Sequence, residues 1–192
     1  MTAVMTAVIR TERLELRPWR AEDAAVLKDA IDSSLDALRQ WVPWATTEPS
    51  PVETIAERLA SMHAKFVDGV DWTWGLFGGD GSRVLGGIGA HPRIGPGALE
   101  IGYWIRTSDT HRGLATEAVR AVLPVAFARP DIERVEIRCD PRNERSAAIP
   151  RRLGFTHTAV LPNNYITPSG QPRDTAVYCL MRNDFFQERE AR

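Results

Sequence analysis

The chain has 192 residues, of which 43% are hydrophobic, and its 24 basic and 25 acidic residues leave a formal net charge of -1. This length fits one domain, and the charge balance gives no global attraction for nucleic acid. No apolar run approaches the roughly 20 residues that span a bilayer. The two cysteines, Cys139 and Cys179, show neither metal nor disulfide spacing. We therefore expect one cytoplasmic domain without a metal, with residues 1–9 and 183–192 as tails, and neither nucleic acid nor a membrane as partner.

Hydrophobic spacing predicts the secondary structure along the chain. Alternation of polar and apolar residues favours strands, and apolar residues at helical spacing favour helices. Strands are predicted at 13–17, 72–77, 83–90, 98–105, 134–139, 155–161 and 175–181. Helices are predicted at 21–31, 33–40, 52–68, 116–128 and 145–153. The polar, proline-bearing stretch 162–174 is predicted to be a long loop, of the kind that is often functional in compact domains.

The order of these elements predicts the fold class. Strands 72–77, 83–90 and 98–105 form a meander, which favours antiparallel pairing. The strand–helix–strand unit between 98 and 139 favours a parallel pair with a right-handed crossover. We expect a single α+β domain in which one mixed, mostly antiparallel sheet carries helices on both faces.

Residues 100–118 carry the strongest chemical signal. A central strand that ends at Ile105 is followed by a short polar loop around Gly113 and by a helix that begins near Thr116. Main-chain N–H groups at such a junction have no helical partner, and together with the helix dipole they bind anions such as phosphate. Gly113 would let the main chain approach the ligand, and Arg112 could add a charged contact. On spacing alone, an ordinary loop glycine is the more common interpretation.

A series of segments in one order carries a wider resemblance. The segments are Leu14-Glu-Leu-Arg-Pro-Trp-Arg20, Trp41-Val-Pro-Trp44, Glu100-Ile-Gly-Tyr-Trp104, Gly113-Leu-Ala-Thr-Glu-Ala-Val-Arg120, Arg138-Cys-Asp-Pro-Arg-Asn143 and Pro150-Arg-Arg-Leu-Gly-Phe155. This series resembles the GNAT acyltransferase superfamily, in its RimJ/RimL-type N-acetyltransferase branch. The resemblance implies a sheet splayed open at its middle, with acetyl-CoA in the gap and its pyrophosphate on the amides of the Gly113 turn.

The resemblance also implies which residues bind acetyl-CoA. They are Ile105, Thr107, Thr110, His111, Arg112, Gly113, Leu114, Ala115, Thr116, Asn143 and Ser146. The family pattern Gln/Arg-x-x-Gly-x-Gly/Ala reads Thr110-His-Arg-Gly-Leu-Ala115 here, so Thr110 departs from it. A main-chain N–H near Ile105 would polarise the thioester carbonyl, and Asn143 would contact the pantetheine arm. Asn143 could equally be only the cap of its helix.

Two residues are expected to carry the proton chemistry. Glu100, a carboxylate in an apolar strand, is the candidate base for the amine, directly or through water, although strand alternation alone favours a solvent-facing residue. Many superfamily members have a tyrosine acid where this chain has Pro150, which has no proton to give. The resemblance passes this role to Ser146, whose hydroxyl would stabilise the departing thiolate. A local hydrogen bond at the start of a helix is the alternative for Ser146.

The acceptor side is expected to be aromatic. The predicted substrate residues are Trp41, Trp44, Glu100, Trp104 and Tyr165. Aromatic walls with one or two carboxylates would suit a peptide N-terminus or a cationic amine. The leading hypothesis is direct transfer of an acetyl group from acetyl-CoA to a primary amine in a ternary complex.

Three further points stay open in the sequence. The acceptor amine is either a protein or peptide N-terminus or a small molecule such as an amino acid derivative or an antibiotic. A non-catalytic regulator that binds acyl-CoA is the competing hypothesis, and the absent tyrosine motivates it. The chain could act as a monomer or as a homodimer.

Overall fold

The computed structural model describes residues 5, 7–79, 81–167 and 171–190. The strands are β1 (Ile9–Arg10), β2 (Glu15–Pro18), β3 (Trp72–Phe77), β4 (Val84–His91), β5 (Ala98–Ile105), β6 (Arg134–Cys139), β7 (Thr156–Ile166) and β8 (Pro172–Met181). The helices are α1 (Ala24–Asp32), α2 (Leu35–Trp41), α3 (Val52–Val67), α4 (Leu114–Phe127), α5 (Glu144–Arg152) and α6 (Arg182–Glu190). Short 3-10 turns span Ala21–Asp23, Pro43–Thr47 and Thr107–Asp109. Among the described helices, none combines the length and the apolar character that crossing a bilayer requires.

The strands form one eight-stranded sheet in the order β1-β2-β3-β4-β5-β6-β8-β7. Neighbouring strands are antiparallel, and the exception is the parallel pair of β5 and β6 that α4 connects. The predicted fold class, a mixed and mostly antiparallel sheet in one α+β domain, is therefore confirmed.

Helices cover both faces of the sheet and bury two hydrophobic cores. On one face Phe77 packs with Leu59 of α3 and with apolar residues of α1. On the other face Leu99 packs with Val119 and its neighbours in α4. Because successive strand side chains point to opposite faces, β5 contributes Tyr103 and Ile105 to the α4 side and Trp104 to the α1–α3 side.

The sheet opens between β5 and β6. Their parallel ladder covers only Ala98↔Arg134, Leu99↔Val135 and Glu100↔Glu136. Beyond this point β5 continues to Ile105 on β4, and β6 continues to Cys139 on β8. The two strands therefore diverge toward their C-terminal ends, which is the splayed sheet that the family resemblance implies.

The prediction of a long loop at 162–174 is wrong. Strands β7 and β8 continue as an antiparallel hairpin arm, with Tyr165 paired to Arg173 and Ile166 paired to Pro172. The arm is largely exposed on both faces, so its residues show no alternation of polar and apolar side chains. Main-chain hydrogen bonds hold the arm together, and a register shift between Leu161 and Tyr165 accommodates the polar segment. Tyr165 consequently lies on a strand rather than in a loop.

The described residues at the two ends contact the core instead of forming tails. Met5 is buried in the α4-side core, and Ile9 pairs with Leu16 as part of β1. At the other end, Phe185 of α6 stacks on Phe127 with ring centroids 4.9 Å apart. The expected tails at 1–9 and 183–192 are therefore corrected for these residues, and residues 1–4, 6, 191 and 192 lie outside the described chain.

Candidate active site

The turn before α4 has the geometry of an anion site. Gly113 is the N-cap of α4 with a left-handed φ of 77°, and no side chain caps the helix. A left-handed cap is easy for glycine because it has no Cβ. The N–H groups of the first helical turn, at Leu114, Ala115 and Thr116, therefore face outward without a capping side chain. Such N–H groups, together with the helix dipole, bind phosphate.

The charged residues at this turn differ from the expected set. Arg112, the predicted phosphate contact, donates from Nη1 to Asp109 at 2.9 Å. Arg13, which the sequence did not single out, donates from Nη1 to the carbonyl oxygen of Arg112 at 2.7 Å. Its Nη2 lies 3.7 Å from the position that a Cβ would take at Gly113. Arg13 is far from the turn in sequence, so only the fold shows that two guanidinium groups flank it.

The remaining polar residues of the turn mainly support its shape. The N–H of Thr107 donates to Oγ of Ser34 at 2.9 Å, and Oγ1 of Thr110 donates to the carbonyl oxygen of Thr107 at 2.9 Å. His111 has a positive φ of 63°, a conformation that residues other than glycine rarely adopt. Thr110, which departs from the family pattern, thus uses its hydroxyl group for a hydrogen bond within the loop.

The inner wall of the gap carries a pair of hydroxyl groups. Oη of Tyr103 on β5 donates to the carbonyl oxygen of Ser146 on α5 at 3.1 Å, and it shares a second hydrogen bond of 3.1 Å with Oγ of Ser146. Burial raises the pKa of Tyr103, while the hydrogen bond to Ser146 acts in the opposite direction. Tyr103 therefore stays protonated through the neutral range and can donate a hydrogen bond at this point.

Asn143 and Cys139 complete this part of the gap. Oδ1 of Asn143 accepts from the N–H of Ser146 at 3.1 Å, so Asn143 caps α5 as the simpler interpretation has it. Burial raises the pKa of the Cys139 thiol, while a hydrogen bond from Ser146 acts in the opposite direction. The sequence did not point to Tyr103. Strand alternation was a usable signal, because it places the side chains of Tyr103 and Trp104 on opposite faces of the sheet.

Glu100 lies where β5 and β6 are still paired, and its carboxylate is bound to Arg93. Nε of Arg93 donates to Oε2 at 3.0 Å and Nη2 donates to Oε1 at 2.6 Å. The side chain of Glu100 is 14% exposed. One guanidinium group therefore occupies both oxygens of this carboxylate. Ile105, the predicted main-chain donor, pairs with Gly86 at the far end of the same strand.

The predicted aromatic residues fall into two contacts on the α1–α3 side. Trp44 and Trp104 meet edge to face with centroids 5.9 Å apart. Trp41 and Tyr165 line a cleft of about 470 Å³ between α2 and the hairpin arm, together with Arg39 and Arg173. The charged residues that line this cleft are the two arginines.

Comparison with known proteins identifies the family. Residues 13–156 match the model of the acetyltransferase (GNAT) domain, which is most of the chain. The chain therefore belongs to the GNAT acetyltransferase family.

Individual relatives match nearly the whole chain. The Bacillus subtilis protein YdaF, described as a candidate ribosomal N-acetyltransferase, is 28% identical over 93% of this chain and 96% of its own. The ribosomal protein uS5-alanine N-acetyltransferase of Escherichia coli is 25% identical over 92% of each chain. The solved structure of RimL, a ribosomal L7/L12 alpha-N-protein acetyltransferase in complex with coenzyme A, has a TM-score of 0.83 at 22% identity and covers 92% of this chain and 99% of that one. At that identity the structural match shows the fold.

Proposed function

We propose that this protein transfers an acetyl group from acetyl-CoA to the primary amine at a protein or peptide N-terminus, directly and in a ternary complex. One observation carries the proposal: the hydroxyl groups of Tyr103 and Ser146 meet in the gap where strands β5 and β6 diverge. Two further features support it. An uncapped helix turn lies beyond the end of β5, and an aromatic cleft opens on the other face of the sheet.

The residues of the turn fit the phosphates of acetyl-CoA. The unclaimed N–H groups at Leu114, Ala115 and Thr116 supply main-chain donors. The guanidinium groups of Arg13 and Arg112 lie beside them, paired with the carboxylates of Glu117 and Asp109. A side chain at position 113 would lie between these donors and the ligand, which explains the glycine. When bound, acetyl-CoA supplies an activated thioester; the protein supplies position and hydrogen bonds.

We assign stabilisation of the leaving thiolate to two hydroxyl groups rather than to Ser146 alone. Tyr103 and Ser146 already share a hydrogen bond in the gap, and both can turn toward a sulfur atom that enters there. Donors fixed in advance at the point where charge develops lower the barrier without reorganisation. Tyr103 thus supplies the phenol that the family pattern places at the position of Pro150 in this chain.

Glu100 remains the proposed base for the amine proton. Because Arg93 holds both carboxylate oxygens, the proton has to reach Glu100 through water or after this ion pair opens. The aromatic side chains of Trp44 and Trp104 lie on the same face of the sheet as Glu100, since residues 100 and 104 of β5 point in one direction. This arrangement supports the substrate role proposed for these residues.

The relatives support a protein N-terminus as the acceptor. One is named for the N-terminal alanine of ribosomal protein uS5, and YdaF is described as a ribosomal enzyme. The two free cysteines in the described chain are consistent with the cytoplasmic location expected from the sequence. A small amine is the alternative acceptor, and it uses the same reaction at the same gap.

The test is a panel of short peptides and small amines assayed for released CoA, with mass spectrometry of the product. The proposal predicts acetylation at the α-amine of peptides and no product from peptides with a blocked N-terminus. Product from small amines alone would replace the peptide acceptor by the small-molecule alternative. Tight CoA binding without product from any amine would favour the regulator instead.

A further inference from the structure

The acceptor cleft is basic rather than acidic. Its lining residues are Arg39, Gln40, Trp41, Val42, Pro43, Thr46, Tyr165, Thr167 and Arg173. Two of these are arginines, and within the described chain none of the lining residues is acidic. A cleft that only had to admit an amine would gain nothing from this charge, because like charge repels a protonated amine.

Arg173 has only weak partners for a buried guanidinium group. Its side chain is 12% exposed, and Nη1 and Nη2 both donate to one neutral acceptor, the carbonyl oxygen of Trp41, at 3.4 Å. Its Nε is buried and has no hydrogen-bond partner among the described residues. Charge-assisted pairs of arginine with a carboxylate are normally bidentate and shorter, at about 2.7–2.9 Å. The guanidinium therefore has donor capacity that the protein itself does not use.

The nearest carboxylate, Asp140, is shared between Arg173 and Arg142. Oδ2 of Asp140 lies 3.6 Å from Nε of Arg173, but Asp140 takes hydrogen bonds from the main chain and the guanidinium of Arg142. The side-chain hydrogen bond from Arg142 is the main cause that holds the pKa of Asp140 below its ordinary value. Asp140 thus makes its short hydrogen bonds to Arg142 and only the longer ion-pair contact to Arg173.

The second arginine, Arg39, binds a main-chain carbonyl group. Arg39 donates from Nη2 to the carbonyl oxygen of Glu48, whereas the carboxylate of Glu48 pairs with Arg58 at 2.7 Å. Arg39 is exposed at the cleft.

The position of Arg173 is fixed by aromatic packing. Its guanidinium carbon lies 4.6 Å from the ring centroid of Tyr165, which is its cross-strand partner in the hairpin arm. A planar guanidinium held on an aromatic ring loses little freedom on binding a planar anion.

The cleft opens next to the gap where acetyl transfer is proposed. On one side, Trp44 in the turn that follows Trp41 contacts Trp104 near the end of β5. On the other side, Asp140 lies beside Arg173 and directly follows Cys139 at the end of β6. The cleft is therefore flanked by the ends of both diverging strands.

We infer that Arg173, with Arg39, binds a carboxylate of the acceptor and so makes this an acetyltransferase that prefers acidic acceptors. This inference rests on the proposed function. The carboxylate could belong to an Asp or Glu side chain that follows the N-terminal residue of a peptide, or to a free amino acid. Both sources present the same planar anion to the same guanidinium.

Two matched acceptor series separate the sources. The first contains peptides that share one N-terminal residue and differ by Glu or Gln at positions 2, 3 or 4. The second contains amino acids and their carboxamides. For the acceptor with the carboxylate, kcat/KM should be about tenfold or more above that of its neutral counterpart. Removing one partner of a buried charge pair lowers binding affinity by at least this factor. A preference in the peptide series alone assigns the carboxylate to a side chain, and a preference in the second series alone assigns it to a free amino acid.

The variants are Arg173→Gln, Arg173→Lys and the control Arg10→Gln. Arg10 is an exposed arginine that pairs with Glu15. It lies on β1, at the edge of the sheet opposite to the hairpin arm. Arg173→Gln should abolish the preference by raising KM for the acidic acceptor, with kcat and KM for acetyl-CoA nearly unchanged. Arg173→Lys should keep part of the preference, because it keeps the charge but not the bidentate fork, and Arg10→Gln should keep all of it.

The outcomes are distinguishable. Equal kcat/KM for acidic and neutral acceptors in both series, or a preference that survives in Arg173→Gln, overturns the inference while leaving acetyl transfer intact. Absence of product from every acceptor contradicts the proposed function and this inference with it. Stabilisation of each variant by acetyl-CoA reports correct folding, and if Arg173→Gln does not fold, Arg39→Gln is assayed in its place and should lower the preference.

Discussion

The two sides of the gap are built in different ways. The proposed cofactor side consists largely of main-chain groups in one short stretch, where Gly113 caps α4. The proposed acceptor side consists of side chains brought together from α2, the following 3-10 turn and the hairpin arm. The first kind of site depends on backbone geometry, and the second depends on how distant elements pack.

This difference predicts which substitutions affect acetyl-CoA and which affect the acceptor. A change of backbone geometry at the turn should weaken acetyl-CoA binding whatever the acceptor. A change of side chain in the cleft should alter the choice of acceptor and leave acetyl-CoA binding unchanged.

The largest effect is expected for Gly113→Val. A β-branched residue is strained at a φ of 77°, and its side chain would stand in front of the N–H groups of α4. We expect acetyl-CoA affinity to fall by about a hundredfold, which corresponds to roughly 2–3 kcal/mol. Isothermal calorimetry and the acetyl-CoA-dependent rise of Tm measure this loss.

Gly81→Val is the matched control for backbone strain. Gly81 also has a positive φ, of 69°, and no heavy atom lies within 4 Å of its hypothetical Cβ. This variant should lose comparable stability and keep its acetyl-CoA affinity. If both variants lose affinity equally, the Gly113 turn is not the phosphate site.

The next effect is expected for Tyr103→Phe and Ser146→Ala. Each should lower kcat by roughly ten- to a hundredfold with little change in acetyl-CoA affinity, because each removes a donor that acts on the developing thiolate. The double variant should cost less than the product of the two, because the hydroxyl groups share one hydrogen bond. Single-turnover rates with saturating acetyl-CoA provide the measurement, and full activity of Tyr103→Phe would remove the phenol from the mechanism.

A smaller effect is expected for Glu100→Gln. If Glu100 receives the amine proton, the variant should lose about tenfold in rate and show a flatter rise of kcat/KM with pH. An unchanged pH profile would exclude Glu100 as the base and leave it as the partner of Arg93.

The smallest effect concerns stability at the edge of the turn. Burial alone would raise the pKa of Glu117, but hydrogen bonds from Thr11 and Arg13 outweigh it and hold the pKa below its ordinary value. The ionised form is thus favoured in the folded state, so its contribution is present at neutral pH and is lost as pH falls through the folded pKa.

Glu117→Gln should therefore cost about 1 kcal/mol in the free energy of unfolding at pH 7, and the difference from the original chain should shrink as pH falls through the folded pKa of Glu117. Urea denaturation at several pH values measures both quantities. Glu12→Gln, at an exposed position in the same region, should show no such pH-dependent difference. If the loss of unfolding free energy in Glu117→Gln persists at acid pH, its cause is altered packing rather than the missing charge.

Much of the fold was predictable because its signals are local. The bounds of β3 and β5 follow directly from their apolar runs, and α4 begins at Leu114, two residues before the predicted start at Thr116. The hairpin arm was missed because an exposed, two-sided polar strand pair lacks alternation. The local pattern around residues 110–116 likewise predicted the turn, whose amides are indeed uncapped.

The contents of the site were predictable only in part. Ser146 and Asn143 lie at the start of α5 as expected, yet the partner of Ser146 is a tyrosine from another strand. Arg13 and Arg173 reach the site from opposite ends of the chain, and no local pattern predicts such a contact. Long-range packing determines where these guanidinium groups lie.

The most direct test is a crystal structure of the protein with CoA. We predict the pyrophosphate on the N–H groups of residues 113–116 and the sulfur between β5 and β6, within about 3.5 Å of Oη of Tyr103 or Oγ of Ser146. A pyrophosphate bound elsewhere, or a sulfur on the surface while Tyr103 and Ser146 keep their mutual hydrogen bond, would contradict it.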